Sequence, residues 1–263
     1  MKKVLLFIIT IALFTNCTTP KMALQDGWQT KEEYAVNGKR KIFAKESMSF
    51  GDYRTTEVKR SWIKGSTSRI GIAKGNVTDP YYENIISSES VKKKQTVRFK
   101  MEDSKQNQSE VYCISKFKSK QLLIGKNENS ILNIATDIFG IGSSSESSYY
   151  VQLYTNKSNQ PWEMLIDNQA AQEKAKTYIG YLSLNRDTYY TITPVYKMED
   201  KNGVARNLPF GSIGFEIKNK QGEPVAAISK LDKGMVYFQN ISNEEKFLLA
   251  NACTALLLQD LIE

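Results

Sequence analysis

Two pairs of carboxylates stand where acid–base chemistry could use them: Glu163 with Asp167, and Asp137 with Glu128. Such pairs work when one acid is held protonated and the other ionised around one scissile bond. Neither spacing fixes both groups around a single substrate, so a carboxylate-based hydrolase is carried only as an alternative. Ser143, Ser144, Ser145, Ser147 and Ser148 form a serine-rich loop without the G-x-S-x-G frame of a nucleophile elbow. Gly140 and Gly142 make a G-x-G that lacks the downstream Lys-Ser/Thr of a phosphate loop. The chain contains no histidine. Imidazole zinc sites, Ser-His-Asp or Cys-His relays and a histidine pH switch are therefore excluded. No catalytic residue, metal ligand or cofactor is assigned, and the balance of the residues favours a non-enzyme.

Aromatic side chains offer a different chemistry. The chain has 14 tyrosines, and Tyr149, Tyr150, Tyr154, Tyr178, Tyr181, Tyr189, Tyr190 and Tyr196 fall in neighbouring strand-like runs. Aromatic faces with polar handles suit glycans, peptides and lipid headgroups, and they also pack ordinary sheets. Both readings stay open. Lys92, Lys93 and Lys94 are followed by Arg98 and Lys100 at strand spacing, and Lys116, Lys118 and Lys120 repeat that spacing. Alternate basic residues on a strand form its solvated face, or else a surface for phosphate or headgroups. Nucleic acid is not singled out.

The residue that carries most information is Cys17. Residues 1–17 read MKKVLLFIITIALFTNC, with Lys2 and Lys3 ahead of an apolar run from Val4 to Phe14. That run is short for a bilayer span of about 20 residues and suits the core of a signal peptide. The box Phe14-Thr15-Asn16-Cys17 resembles the lipidation box of bacterial lipoproteins, in the looser form of Bacteroidetes lipoproteins, with Phe14 in place of the usual Leu and Asn16 in place of a small residue. The resemblance implies cleavage after residue 16, acylation of Cys17 and attachment to the cell envelope, with the outer membrane as the expected address. Palmitate is the expected kind of acyl group. Residues 17–27 are then a lipidated tether, and 28–263 a single β-rich domain.

Composition agrees with a membrane-tethered globular domain. The 263 residues are 41% hydrophobic and 24% charged, with 15 Gly and 6 Pro, which excludes collagen, a wholly disordered chain and a polytopic membrane protein. Removing Lys2 and Lys3 leaves 34 basic against 28 acidic side chains, a charge of +6. With Cys17 lipidated, Cys113 and Cys253 remain, in a strand-like run and an apolar helix, and two buried thiols are expected rather than a disulfide.

Period-two patterning predicts most of the elements. A hairpin is expected over 33–43 around Asn37-Gly38. A strand over 53–63 follows, with 68–73 returning beside it. Val97, Phe99 and Met101 alternate with Arg98 and Lys100, and a turn at 102–109 leads through 110–117 to Leu122–Ile124 as one meander. Ile131 to Phe139 fits a short helix. Strands are expected over 149–155 and 162–166, a short helix over 167–176, and strands over 177–184 and 187–198, where Pro194 suggests an edge or bulge. A loop over 198–209 precedes three hairpin-linked strands, 213–218, 225–231 and 235–239.

The closing segment, 242–262, is read as a helix capped by Ser242 and Glu245. Between Phe247 and Leu258 only Asn251 and Thr254 are polar. A helix lying on a sheet keeps a charged stripe, and this one has none. It is therefore expected inside the domain, with a buried partner for Asn251. The fold class is α+β, mainly β: an antiparallel sheet, open or closed into a barrel, around the C-terminal helix. Over residues 50–263 this arrangement resembles the tubby-like and scramblase-like fold, in which a closed sheet wraps a hydrophobic C-terminal helix. No phosphoinositide-binding residue is matched. The expected role is binding of a lipid, glycan or protein partner at the envelope, with a structural accessory role as the alternative.

Overall fold

The computed structural model describes residues 21–38, 47–63, 70–74, 83–88, 94–117, 122–124, 148–156, 158–174, 176–208 and 211–259. Its main feature is a 12-stranded antiparallel sheet. In spatial order the strands are β2 (Glu32–Ala35), β18 (Met235–Phe238), β17 (Pro224–Ser229), β16 (Gly214–Lys218), β13 (Tyr189–Val195), β12 (Gly180–Ser183), β11 (Trp162–Asp167), β10 (Ser148–Thr155), β8 (Gln108–Phe117), β7 (Lys94–Glu102), β4 (Tyr53–Ile63) and β3 (Ser49–Phe50). The two ends of this order meet. Asn37, just beyond β2, exchanges backbone hydrogen bonds of 2.9 and 3.0 Å with Ser49 of β3. The sheet is thus nearly closed into a barrel, the tighter of the two arrangements compatible with the sequence.

The reason for closure runs through the middle. Helix α2 (Asn243–Gln259) is buried on every side from Phe247 to Gln259. Ser242 Oγ accepts the Glu245 N–H at 3.2 Å, as the capping pattern predicts. The alternating set Val97, Phe99 and Met101 points inward with Val111, Cys113, Tyr149, Val151, Phe215, Ile228 and Phe238, in one core with Leu249, Leu256 and Leu257 of α2. Each such leucine contributes about 1.5–3 kcal/mol by leaving water. Asn251 finds its partners inside: its Nδ2 donates to Phe247 O at 2.8 Å, and its Oδ1 accepts from Ser109 Oγ at 2.5 Å. Tyr149 Oη donates to Ala255 O at 2.8 Å, pinning the helix to β10.

The barrel has two unlike ends. Where α2 begins, strands are joined by short turns, among them 51–52, 103–107, 184–188 and 219–223. Where α2 finishes, the β17–β18 turn at 230–234 is equally short, but other connections are longer. One carries helix α1 (Asn168–Glu173), capped by Asp167, whose Oδ1 accepts from Ala170 N at 3.0 Å. Another carries the hairpin of β14 (Lys197–Glu199) and β15 (Ala205–Asn207), to which β1 (Lys21–Met22) adds a third strand. A separate sheet is made by β5 (Ile70–Lys74), β6 (Glu83–Ser88) and β9 (Leu122–Ile124).

Several expectations change. The run 68–73 does not return beside β4; β5 pairs with β6, and β4 pairs with β7 instead. Leu122–Ile124 leaves the meander to pair with β6. Residues 198–209, expected as a loop, include the β14–β15 hairpin. Pro194 lies in an interior strand, not at an edge. Its neighbour Val195 directs its carbonyl to the β16 side, where it accepts from Ile213 N at 2.8 Å. Alternation turns Pro194 N toward β12, whose register with β13 already ends at Gly180↔Ile192, so no ladder bond is lost. Asn37 pairs with Ser49, and the expected returning half of its hairpin, 39–43, lies outside the described residues, as does the helix expected over 131–139.

Candidate functional site

At the mouth where α2 enters, a cleft of about 310 Å³ is lined by Thr155, Asn156, Trp162, Tyr190, Ser242, Glu244, Glu245, Phe247 and Leu248. The local sequence explains the shape. Trp162 opens β11 and Tyr190 lies near the start of β13, so both rings stand at the rim, with centroids 5.7 Å apart and planes inclined by 38°. Phe247 and Leu248, the first buried residues of α2, form the floor. Tyr190 Oη donates to Glu245 Oε1 at 2.9 Å, which ties the aromatic pair to the helix. Burial, with Glu245 adding to it, raises the Tyr190 hydroxyl above its ordinary range, so it remains a donor. Adjacent positions on a helix face apart, so Glu244 and Glu245 are not an acid–base pair.

A second, wider cleft of about 650 Å³ shares Asn156 and is lined also by Arg54, Glu102, Asp103, Ser104, Gln106 and Gln108. Its charges are already engaged. Arg54 Nε donates to Glu102 Oε1 at 2.6 Å, and Asp103 Oδ1 accepts from Lys105 N and Asn107 N at 2.9 Å each. The smaller cleft is distinguished by its two aromatic faces, set beside Asn156, Ser242, Glu244 and Glu245; Asn156 Oδ1, Ser242 Oγ and Glu245 already hold hydrogen bonds within the protein, and among the described residues no cation lines the rim.

The predicted candidates fare differently. Glu163 is buried on the outer side of β11, where its Oε1 accepts from Tyr150 Oη at 2.6 Å and Gln152 Nε2 at 3.3 Å. Asp167 serves α1 as cap, about 13 Å further along the same strand, so the two carboxylates do not converge. Glu128, Asp137 and serines 143–147 lie outside the described residues, while Ser148 is buried at the start of β10. Of the predicted basic strand residues, Arg98 and Lys100 have described side chains, those of Lys94 and Lys116 lie outside the description, and both described ones are paired. Arg98 pairs with Glu110 and sits 5.3 Å from the Tyr112 ring centroid, while Lys100 and Lys59 both meet Glu57. Lys92, Lys93, Lys118, Lys120 and Cys17 lie outside the described residues.

Cys113 and Cys253 are free and buried, and they form no disulfide. Burial pushes the Cys113 thiol up to about 12 and raises Cys253 as well, so neither is reactive. Of the eight tyrosines, Tyr149, Tyr150, Tyr154 and Tyr178 are buried, and Tyr190 alone lines the smaller cleft. Among the described residues no group of three or more acids or cysteines could hold a metal ion, and no helix is long and apolar enough to cross a membrane. Trp162 and Ser242 escaped functional notice in the sequence because each reads locally as an element start. Only the entry of α2 into the barrel brings them together. No protein-family model, curated protein or solved structure matches the chain.

Proposed function

We propose that this chain is an envelope lipoprotein, acylated on Cys17, whose barrel binds a neutral, hydroxyl-rich glycan at the mouth where α2 enters. The observation that carries the ligand class is the Trp162–Tyr190 pair set beside Asn156, Ser242 and Glu244. Aromatic faces stack on the C–H faces of sugars, while amide, hydroxyl and carboxylate groups take their hydroxyls. An anionic lipid headgroup is a poorer match, because among the described residues the cleft is lined by acids and no base. The lipoprotein reading rests on the apolar leader and its terminal cysteine. An outer-membrane address goes with it.

Twelve strands around a C-terminal helix make a barrel-and-helix architecture of a general kind, and the tubby-like and scramblase-like arrangement is one reading of it. That likeness brings no ligand with it. The test is native mass spectrometry of the full-length protein taken from its own membrane, followed by tryptophan-fluorescence titration with envelope oligosaccharides. The expected result is acyl mass on Cys17, lost in Cys17→Ala, and saturable glycan binding weakened at least about tenfold by Trp162→Ala, a loss of roughly 1.4 kcal/mol. Binding indifferent to Trp162 would remove the cleft from consideration. An acylated protein that retains no ligand would favour the structural accessory role.

A further inference from the structure

The stretch read from the sequence as tether is bound to the barrel from Lys21 onward. Lys21 and Met22 pair with Glu199 and Met198 of β14, and Ala23 N donates to Lys197 O at 3.0 Å. Met22, Leu24 and Trp28 pack with Val195, Ala227 and Tyr237 on the outside of the barrel. Beneath this strap lies Glu216, with no exposed surface. Its Oε1 accepts from Trp28 Nε1 at 2.7 Å and Gln25 N at 3.2 Å, and Lys218 Nζ stands 3.6 Å from Oε2. Lifting the strap would take the two hydrogen-bond donors from a buried carboxylate, a change that costs several kcal/mol. Met22 Sδ also occupies the space that a Cβ on Gly214 would need.

The free leash is consequently short. Only residues 18–20 separate Cys17 from Lys21, a reach of about 14 Å at full extension. It emerges beside the tip of the β14–β15 hairpin, at the end of the barrel where α2 finishes. The mouth with the cleft lies at the opposite end of α2, about 25 Å away by helix rise. The same end bears both exposed large hydrophobic side chains among the described residues, Val204 at 53% and Ile179 at 42%. Val204 is held at the hairpin tip by an ordered turn: Asp200 Oδ1 accepts from Asn202 N and Val204 N at 2.9 Å each, and Arg206 Nε donates to Asp200 Oδ2 at 2.7 Å. Exposed Lys21, Lys197, Lys201 and Arg206 outnumber Glu199 and Asp200 there.

We propose that this hairpin end rests in the headgroup layer of the membrane that anchors Cys17, so the barrel stands on the end where α2 finishes and its cleft faces away. A short leash, an apolar tip and a basic surround suit an anionic bilayer surface together. The inference rests on the lipoprotein reading and extends it from an anchor to a defined orientation.

The experiment places an environment-sensitive fluorophore on Val204→Cys, or on Gln221→Cys in the opposite turn, in the full-length acylated protein. Both are reconstituted in vesicles of phosphatidylethanolamine and phosphatidylglycerol containing spin-labelled lipid. Cys113 and Cys253 are buried and take no label. The Val204 probe is expected to lose most of its emission to the spin label while the Gln221 probe keeps its own. A flexible Gly/Ser insertion between Thr18 and Thr19 should reduce that loss. Equal quenching, as for a barrel lying on its side, or stronger quenching at Gln221 would overturn the orientation. Intact mass measured first separates the two failures. A chain without acyl mass removes the lipoprotein reading and the orientation with it, whereas an acylated chain with equal quenching removes the orientation alone.

Discussion

The two ends of the barrel are closed by different means. At the end where α2 begins, the strands turn back within a few residues and the rim is polar, with Glu102, Asp103, Glu244 and Glu245 around the two clefts. At the other end the connections carry α1 and the β14–β15 hairpin, the strap enters, and Val204 and Ile179 are exposed. A single α-helix runs between them, so one core supports both. Short turns leave rim side chains free to meet a ligand. Long connections supply extra surface that can meet a membrane. The two ends thus differ in their connections while sharing one core.

The largest expected effect is alkaline unfolding driven by buried and half-buried tyrosines at both ends, Tyr178 beside α1 and three at the mouth with the short turns. Burial, then the neighbouring Glu32, raises Tyr34 from 10.0 to about 12. Burial also raises Tyr53 and Tyr190 at that end. These folded-state hydroxyls keep protons that the unfolded chain releases. For Tyr34 this stabilisation is intact below about pH 10 and is lost as pH rises through about 12, and for the others the loss extends to higher pH. Melting temperature should fall steeply over that window, and hydrogen exchange should show protection lost at 177–181 as well as at 49–55 and 189–191. Loss confined to one end would show that the two ends open independently of the shared core.

Next in size, Leu256→Ala in the half of α2 nearer the hairpin end should cost about 3–5 kcal/mol, read as a lower urea midpoint with unchanged slope. Leu249→Ala, in the other half, should cost a similar amount if one core serves both ends. Trp28→Phe keeps the ring but removes a donor from buried Glu216, with an expected loss of about 1–3 kcal/mol. Its exchange signature should be confined to 21–28 and 214–218, leaving the cleft untouched. The smallest expected effect is Val204→Ser at an exposed tip, within about 0.5 kcal/mol of wild type in solution. A larger loss without membranes would mean that Val204 packs within the protein.

Legibility in the sequence varied with the physical cause. Helix α2 could be placed inside the domain because its apolar residues occupy every face, and a surface helix cannot afford that. Strands β7, β8 and β16 to β18 were legible from alternation and turn residues. Closure was not, because Asn37 and Ser49 meet through backbone groups that any residue carries. Strands β1, β14 and β15 are two or three residues long, too short to show a period. Glu216 alternates with Phe215 and Ile217 as a solvated residue would. Its burial depends on the strap, which joins it from far along the chain. The cleft has the same origin: its residues come from three separate segments, and their patterns report element starts rather than proximity.

The central helix follows every strand that surrounds it in the chain order. Until α2 is available, the inward side chains of twelve strands have no common partner, and Asn37 and Ser49 gain little by meeting. Seam and helix therefore support one another: the inward side chains of the wall bury against α2 only where the sheet is closed, and the backbone pairing of Asn37 with Ser49 holds that closure.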